Sequence, residues 1–132
     1  MLDCLIVGDS IAVGTHQFKQ ECAVYAKGGI NSKQWLDKNI QNTPLQAKTV
    51  IISLGSNDHK YVKTESELRT IRQLTKADRV YWILPAIKPD IQEIVKRVAS
   101  ENGDTVLPIT SLQPDKIHPS WAGYKKLAQE AR

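Results

Sequence analysis

At 132 residues the chain has room for one hydrophobic core and not for two, and its 41% hydrophobic and 24% charged residues are those of an ordinary globular domain. The net charge of +4 comes from scattered lysines, with no basic run interleaved with aromatics, so a nucleic-acid-binding surface is not expected. No apolar run approaches the roughly 20 residues of a membrane span, and the first residues lead into a strand without a basic leader. A cytoplasmic location is therefore expected for the chain as given, with extracellular or virion-associated action left open. Cys4 and Cys22 are too few for a disulfide framework and lack metal-site spacing; they are expected to be reduced, partly buried thiols outside any chemistry.

In chain order, residues 2–7 form an aliphatic run that predicts a strand, and it ends on Gly8-Asp9-Ser10. A short second strand over 22–26 runs into Lys27-Gly28-Gly29, and a third over 49–54 runs into Gly55-Ser56-Asn57-Asp58. Thr64 with Glu67 three positions on has the pattern of a capping box, followed by apolar Leu68, Ile71 and Leu74, so a helix is predicted there. A fourth strand follows over 79–84. Pro89 then suits the first turn of a helix carrying Ile91, Ile94, Val95 and Val98, which stops near Gly103. A fifth strand over 105–109 precedes Asp115-Lys116-Ile117-His118-Pro119, and a last helix places Trp121, Tyr124, Leu127, Ala128 and Ala131 on one face. Strands alternating with helices predict an α/β protein, a three-layer α/β/α sandwich around a five-stranded parallel sheet, with one domain over 1–132. Ligands in such sheets bind beyond the carboxyl ends of the strands, so the turns after the strands are where chemistry is sought.

Ser10 sits at a strand-to-helix turn, exposed as a nucleophile must be and close to the positive end of a helix dipole. Asp115 lies three residues before His118, within reach of one ring nitrogen if the segment makes a single turn, and Pro119 fixes the backbone beyond the ring. Backbone N–H groups of Ser10 and Gly29, with the side-chain amide of Asn57, are donors suited to a tetrahedral oxyanion. Each of these motifs alone also reads as structure: Asp and Ser as helix caps, the glycine pair as a tight turn, Asp-x-x-His as a surface loop.

Taken together, Gly8-Asp9-Ser10-Ile11-Ala12-Val13-Gly14, Gly28-Gly29-Ile30-Asn31-Ser32, Gly55-Ser56-Asn57-Asp58 and Asp115-Lys116-Ile117-His118-Pro119 resemble four blocks of the SGNH (GDSL-like) hydrolase family, in order and across the whole chain. The resemblance implies a flavodoxin-like fold with Ser10 as nucleophile, Ser10, Gly29 and Asn57 as the oxyanion hole, and Asp115 and His118 as the rest of a catalytic triad. Gly28 competes with Gly29 as the oxyanion donor; Gly29 is preferred because it directly precedes the next helix. His59 and Trp35 are candidate substrate contacts at the rim, Trp35 because its helix starts beside Gly29. His16 reads as a surface residue, and Asp58 as a side chain bonded within its own turn.

The function expected is a serine esterase acting on short-chain carboxylic esters, O-acetyl groups on a carbohydrate among them. It would work through an acyl-enzyme finished by water, with no metal or organic cofactor. Short connections and the lack of an inserted lid point to a shallow, open acyl site. Two alternatives stand beside it. One is a lysophospholipase or thioesterase with an apolar groove built from Ile30, Trp35 and Ile87; the other is a non-enzymatic α/β module whose glycine turns cradle an anion.

Overall fold

A computed structural model describes residues 1–132. The chain runs β1 (Leu2–Gly8), α1 (Ser10–Gln17), β2 (Ala23–Ala26), α2 (Ser32–Asn39), a 3-10 turn (Ile40–Asn42), β3 (Leu45–Ser53), α3 (Thr64–Gln73), β4 (Thr75–Lys76), β5 (Arg79–Ile83), α4 (Pro89–Glu101), β6 (Thr105–Leu107) and α5 (Trp121–Glu130). All strand pairings are parallel, and the order across the sheet is β2-β1-β3-β5-β6. The expected sandwich is present, with six strands rather than five. The extra one, β4, is a two-residue strand pairing with Leu45 and Gln46, which lengthens β3 toward its start beyond the aliphatic run.

Strand periodicity sorts the core into two layers. Leu5, Val7, Val50, Ile52, Val80 and Trp82 face α2, α3 and α4, whereas Cys4, Ile6, Ile51, Ile83 and Leu107 face α1 and α5. The central strands are buried on both faces, which is why they read as unbroken aliphatic runs. Truncating one of their fully buried side chains, such as Ile52→Ala, is expected to cost about 2–5 kcal/mol.

Three local expectations are corrected. Thr64 and Glu67 do not form a capping box: Thr64 is the first residue of α3, the cap residue Lys63 makes no side-chain bond, and the Thr64 hydroxyl is taken by Asp58 Oδ2 at 2.7 Å. The capping box is at α2, where Asn31 Oδ1 accepts from the Gln34 N–H and Gln34 Oε1 accepts from the Asn31 N–H. Cys4 and Cys22 are not free thiols but a disulfide. The parallel register pairs Leu5 with Ala23, which sets Cys4 and Cys22 opposite each other one step back, with their Cα atoms 4.7 Å apart. Closing a loop of 18 residues in the unfolded chain stabilises the fold by about 3 kcal/mol in the chain-entropy picture. Nearby, His16 is half-buried rather than on the surface, its Nε2 bonded to the Cys22 carbonyl at 3.0 Å.

The strand order makes the chain leave β1 toward β2 on one side and pass to β3 on the other. The crevice that opens between the carboxyl ends of β1 and β3 is the switch point of the sheet. Ser10 follows β1, and the 55–58 turn follows β3. No helix is long and apolar enough to cross a membrane.

Candidate active site

The first turn of the site depends on a close approach of backbones. A Cβ on Gly8 would overlap the Ser53 carbonyl, so only glycine lets β1 and β3 end side by side, with the Asp9 N–H donating to the Ser53 carbonyl at 3.0 Å. Asp9 caps α1: its Oδ1 accepts from the Ile11 N–H at 3.0 Å and from the Ser53 hydroxyl at 3.2 Å. Ser10 is therefore the first residue of the helix. Its backbone N–H is among those a helix leaves without an internal acceptor, and its side chain is half-buried at the mouth of the crevice.

His118 reaches Ser10 from the far end of the chain. The loop before α5 is tied down by a short antiparallel bridge of Leu112 with Pro119, by the Gln113 N–H donating to the His118 carbonyl at 2.8 Å, and by Lys116 in a left-handed turn. Asp115 sits inside this turn. Its Oδ1 accepts from the Ile117 and His118 N–H groups at 2.9 and 3.0 Å, and its Oδ2 lies 2.7 Å from His118 Nδ1. His118 Nε2 lies 2.9 Å from Ser10 Oγ. With Nδ1 donating to Asp115, Nε2 is left facing the Ser10 hydroxyl, where an unprotonated ring nitrogen can accept its proton. A hydroxyl, an imidazole and a carboxylate in this line can move a proton off the hydroxyl and stabilise the imidazolium that results.

The two carboxylates near Ser10 sit in opposite environments. The Ile117 N–H, the His118 ring and the His118 N–H together hold Asp115 down at a pKa of about 2, so it stays charged throughout the neutral range. Burial pushes Asp9 up to about 6 against the opposing pull of the Ile11 N–H and the Ser53 hydroxyl, and its Oδ2 has no hydrogen-bond partner.

The glycine pair lies against the serine. A Cβ on Gly28 would stand 3.8 Å from the Ser10 Cβ, so the backbone of Gly28 passes beside Ser10. Gly29 has a φ of +78°, a conformation that other residues adopt only with strain, before the chain enters the cap of α2. Asn57 is half-buried in the next turn, and its Nδ2 donates to the Ile30 carbonyl at 3.0 Å. One N–H of that amide thus ties the two turns together, and the second has no partner within the protein. Beside the glycines is an open concavity of about 350 Å³ lined by Lys27, Gly28, Gly29, Ile30, Gln34 and Lys38.

Other expectations change. Trp35 is no substrate wall: it is completely buried against the sheet, with its indole N–H donating to the Tyr25 carbonyl at 2.9 Å. A groove built on it is therefore absent. His59 is exposed on the loop after β3 and lines a cavity of about 460 Å³ with Val62, Ile91 and Ile94. Asp58 does not bond its own turn through its side chain; its carboxylate accepts from the Ser32 N–H at 2.8 Å and from the Thr64 hydroxyl, joining the starts of α2 and α3. Trp121, expected on the core face of α5, is 69% exposed. One residue that sequence reading passed over is Lys88, whose Nζ donates to the Ser56 and Asp58 carbonyls at 2.8 and 2.7 Å; a lysine before a helix-opening proline carried no signal of this.

No family model matches the sequence, and no curated protein matches it at a significant level. Solved structures do match. The fold is similar to that of a GDSL-like lipase from Bacteroides thetaiotaomicron, with a TM-score of 0.70 and 19% identity over 99% of this chain and 89% of that one. It is similar to a candidate acylhydrolase from Bacteroides fragilis, with a TM-score of 0.72 and 22% identity over 98% and 86% of the two chains. The catalytic domain of Streptococcus pneumoniae peptidoglycan O-acetyltransferase A matches with a TM-score of 0.59 and 18% identity over 98% and 96%. The resemblance to SGNH hydrolases read from the four blocks thus extends to the three-dimensional fold.

Proposed function

We propose that the chain is a serine esterase that removes short acyl groups, acetyl among them, from a polar alcohol such as a carbohydrate hydroxyl. The observation that carries this reading is the line from Ser10 Oγ to His118 Nε2 at 2.9 Å and from His118 Nδ1 to Asp115 Oδ2 at 2.7 Å, at the switch point of the sheet. In this mechanism Ser10 Oγ attacks the acyl carbon as His118 takes the hydroxyl proton. The oxyanion is held by the backbone N–H groups of Ser10 and Gly29 and by Asn57 Nδ2. The alcohol leaves with the proton from His118. Water then attacks the acyl-serine, again giving its proton to His118, and the free acid departs as Ser10 recovers its hydrogen.

The choice of substrate rests on the surroundings of Ser10. The concavity beside Gly28 and Gly29 offers two lysines, a glutamine and backbone groups against a single apolar side chain, Ile30, which suits a polar alcohol better than a fatty chain. The similarity in fold to a peptidoglycan O-acetyltransferase domain is in keeping with acetyl chemistry on a glycan. The Cys4–Cys22 disulfide favours work in an oxidising environment over the cytoplasmic location expected from the sequence.

The test is hydrolysis of p-nitrophenyl esters by wild type and Ser10→Ala. Wild type is expected to turn over the acetyl ester, to slow steeply as the acyl chain lengthens, and to lose turnover when Ser10 is replaced. Equal or better hydrolysis of the octanoyl ester would favour a lipid-directed enzyme, and turnover surviving in Ser10→Ala would remove the nucleophile.

A further inference from the structure

Lys88 is the last residue before α4, and its backbone is left-handed, with φ 62° and ψ 82°. That conformation is strained for a lysine, and α4 gains nothing from it, since Lys88 makes no side-chain capping bond. What the conformation does achieve is to send the side chain back across the carboxyl end of the sheet. There Nζ donates to the Ser56 carbonyl at 2.8 Å and to the Asp58 carbonyl at 2.7 Å. These carbonyls belong to the residues on either side of Asn57. The neighbouring Asp58 carboxylate is already engaged by the Ser32 N–H and the Thr64 hydroxyl, so the ammonium is bound by main-chain oxygens rather than by an ion pair.

Two charge-assisted bonds from one cation, one to the peptide joining Ser56 to Asn57 and one to the carbonyl of Asp58, hold the turn that carries Asn57, whose side chain is separately tied to the Ile30 carbonyl. Both the main chain and the side chain of Asn57 are then anchored, and the direction of its free N–H is set. We infer that Lys88 is a positioning residue that holds Asn57 in register as an oxyanion donor, an assignment that rests on the serine-esterase reading above. It acts through Asn57 and does not itself touch the reacting atoms.

The test is a double-mutant cycle between Lys88→Met and Asn57→Ala, read on p-nitrophenyl acetate. Lys88→Met is expected to lower kcat by about 10- to 100-fold with little change in KM, since a misaligned donor forfeits part of what a deleted one loses. In the Asn57→Ala background the same substitution is expected to cost nothing further, because the donor it positions is gone. A merely structural lysine would lower activity by the same factor in both backgrounds, and that result would overturn the inference. Should Lys88→Met fail to fold, Lys88→Gly carries the same cycle, since glycine accepts the left-handed backbone without strain. If wild type hydrolyses the ester, Ser10→Ala does not and Lys88→Met matches wild type, this inference alone falls. If wild type has no esterase activity, both readings fall.

Discussion

Ser10 stands between two aspartates that the sequence makes look alike and the fold treats in opposite ways. Asp115 is exposed, yet three hydrogen bonds to its carboxylate keep it ionised down to about pH 2, and its free edge faces His118. Asp9 is buried one residue before Ser10, is pushed up to about 6 by desolvation, and faces a helix N-terminus and Ser53 rather than the imidazole. The difference teaches that a carboxylate's role is set by what its oxygens touch, not by its distance along the chain from the reacting group. Here the carboxylate held low lies against the imidazole, and the buried one holds the start of α1 and the end of β3.

The largest effect that could break this contrast is at Asp115. Asp115→Asn keeps the shape of the side chain but removes the charge and favours the wrong imidazole tautomer, so kcat is expected to fall by up to roughly 10⁴-fold. Steady-state kinetics on p-nitrophenyl acetate measures it, and a change of only a few-fold would mean that His118 is oriented by something else. Next in size is Asn57→Ala, expected to lower kcat by about 10²- to 10³-fold with a much smaller effect on KM, because an oxyanion donor acts mainly in the transition state. An effect confined to KM would move Asn57 to ground-state binding.

Asp9→Asn should do least to catalysis, and it sharpens the comparison through stability instead. Because the folded pKa of Asp9 is raised above its unfolded value, the folded state binds the extra proton between about pH 4 and 6. The group's contribution is therefore fully present below its unfolded pKa and is lost as pH rises through about 6, by at most about 3 kcal/mol. Asp9→Asn is expected to flatten this part of the Tm-against-pH curve while keeping most of the turnover. Asp115 has the opposite sign, its depressed pKa giving stability that is present above its unfolded value and lost as pH falls toward 2. An unchanged curve in Asp9→Asn would show that Asp9 is ionised in the fold at no cost.

Much of this site was legible because it rests on local chemistry. The aliphatic runs of β1, β3 and β5 stand out because both of their faces are buried, and the glycine turns behind them mark the sheet edge. The three-residue spacing of Asp115 and His118 closes into a turn with only short-range bonds. What could not be read depends on long-range register or on which way a side chain turns. The pairing of Cys4 with Cys22 follows from β1 and β2 aligning Leu5 with Ala23, which no spacing announces. Trp35 lies a few residues from Gly29, but the helix turns it into the sheet, while the Thr64 hydroxyl and the Lys88 ammonium find partners in the 55–58 turn across the fold.

The central claim is that Ser10 is made nucleophilic by a histidine that Asp115, and not Asp9, holds in place. Covalent labelling with a fluorophosphonate, followed by peptide mass spectrometry and timed across wild type, His118→Ala, Asp115→Asn and Asp9→Asn, tests it most directly. Rapid modification of Ser10 alone is expected in wild type, with near-wild-type labelling in Asp9→Asn and slow or no labelling in Asp115→Asn and His118→Ala. Labelling at another residue, or an Asp115→Asn protein that labels as fast as wild type while Asp9→Asn does not, would contradict it.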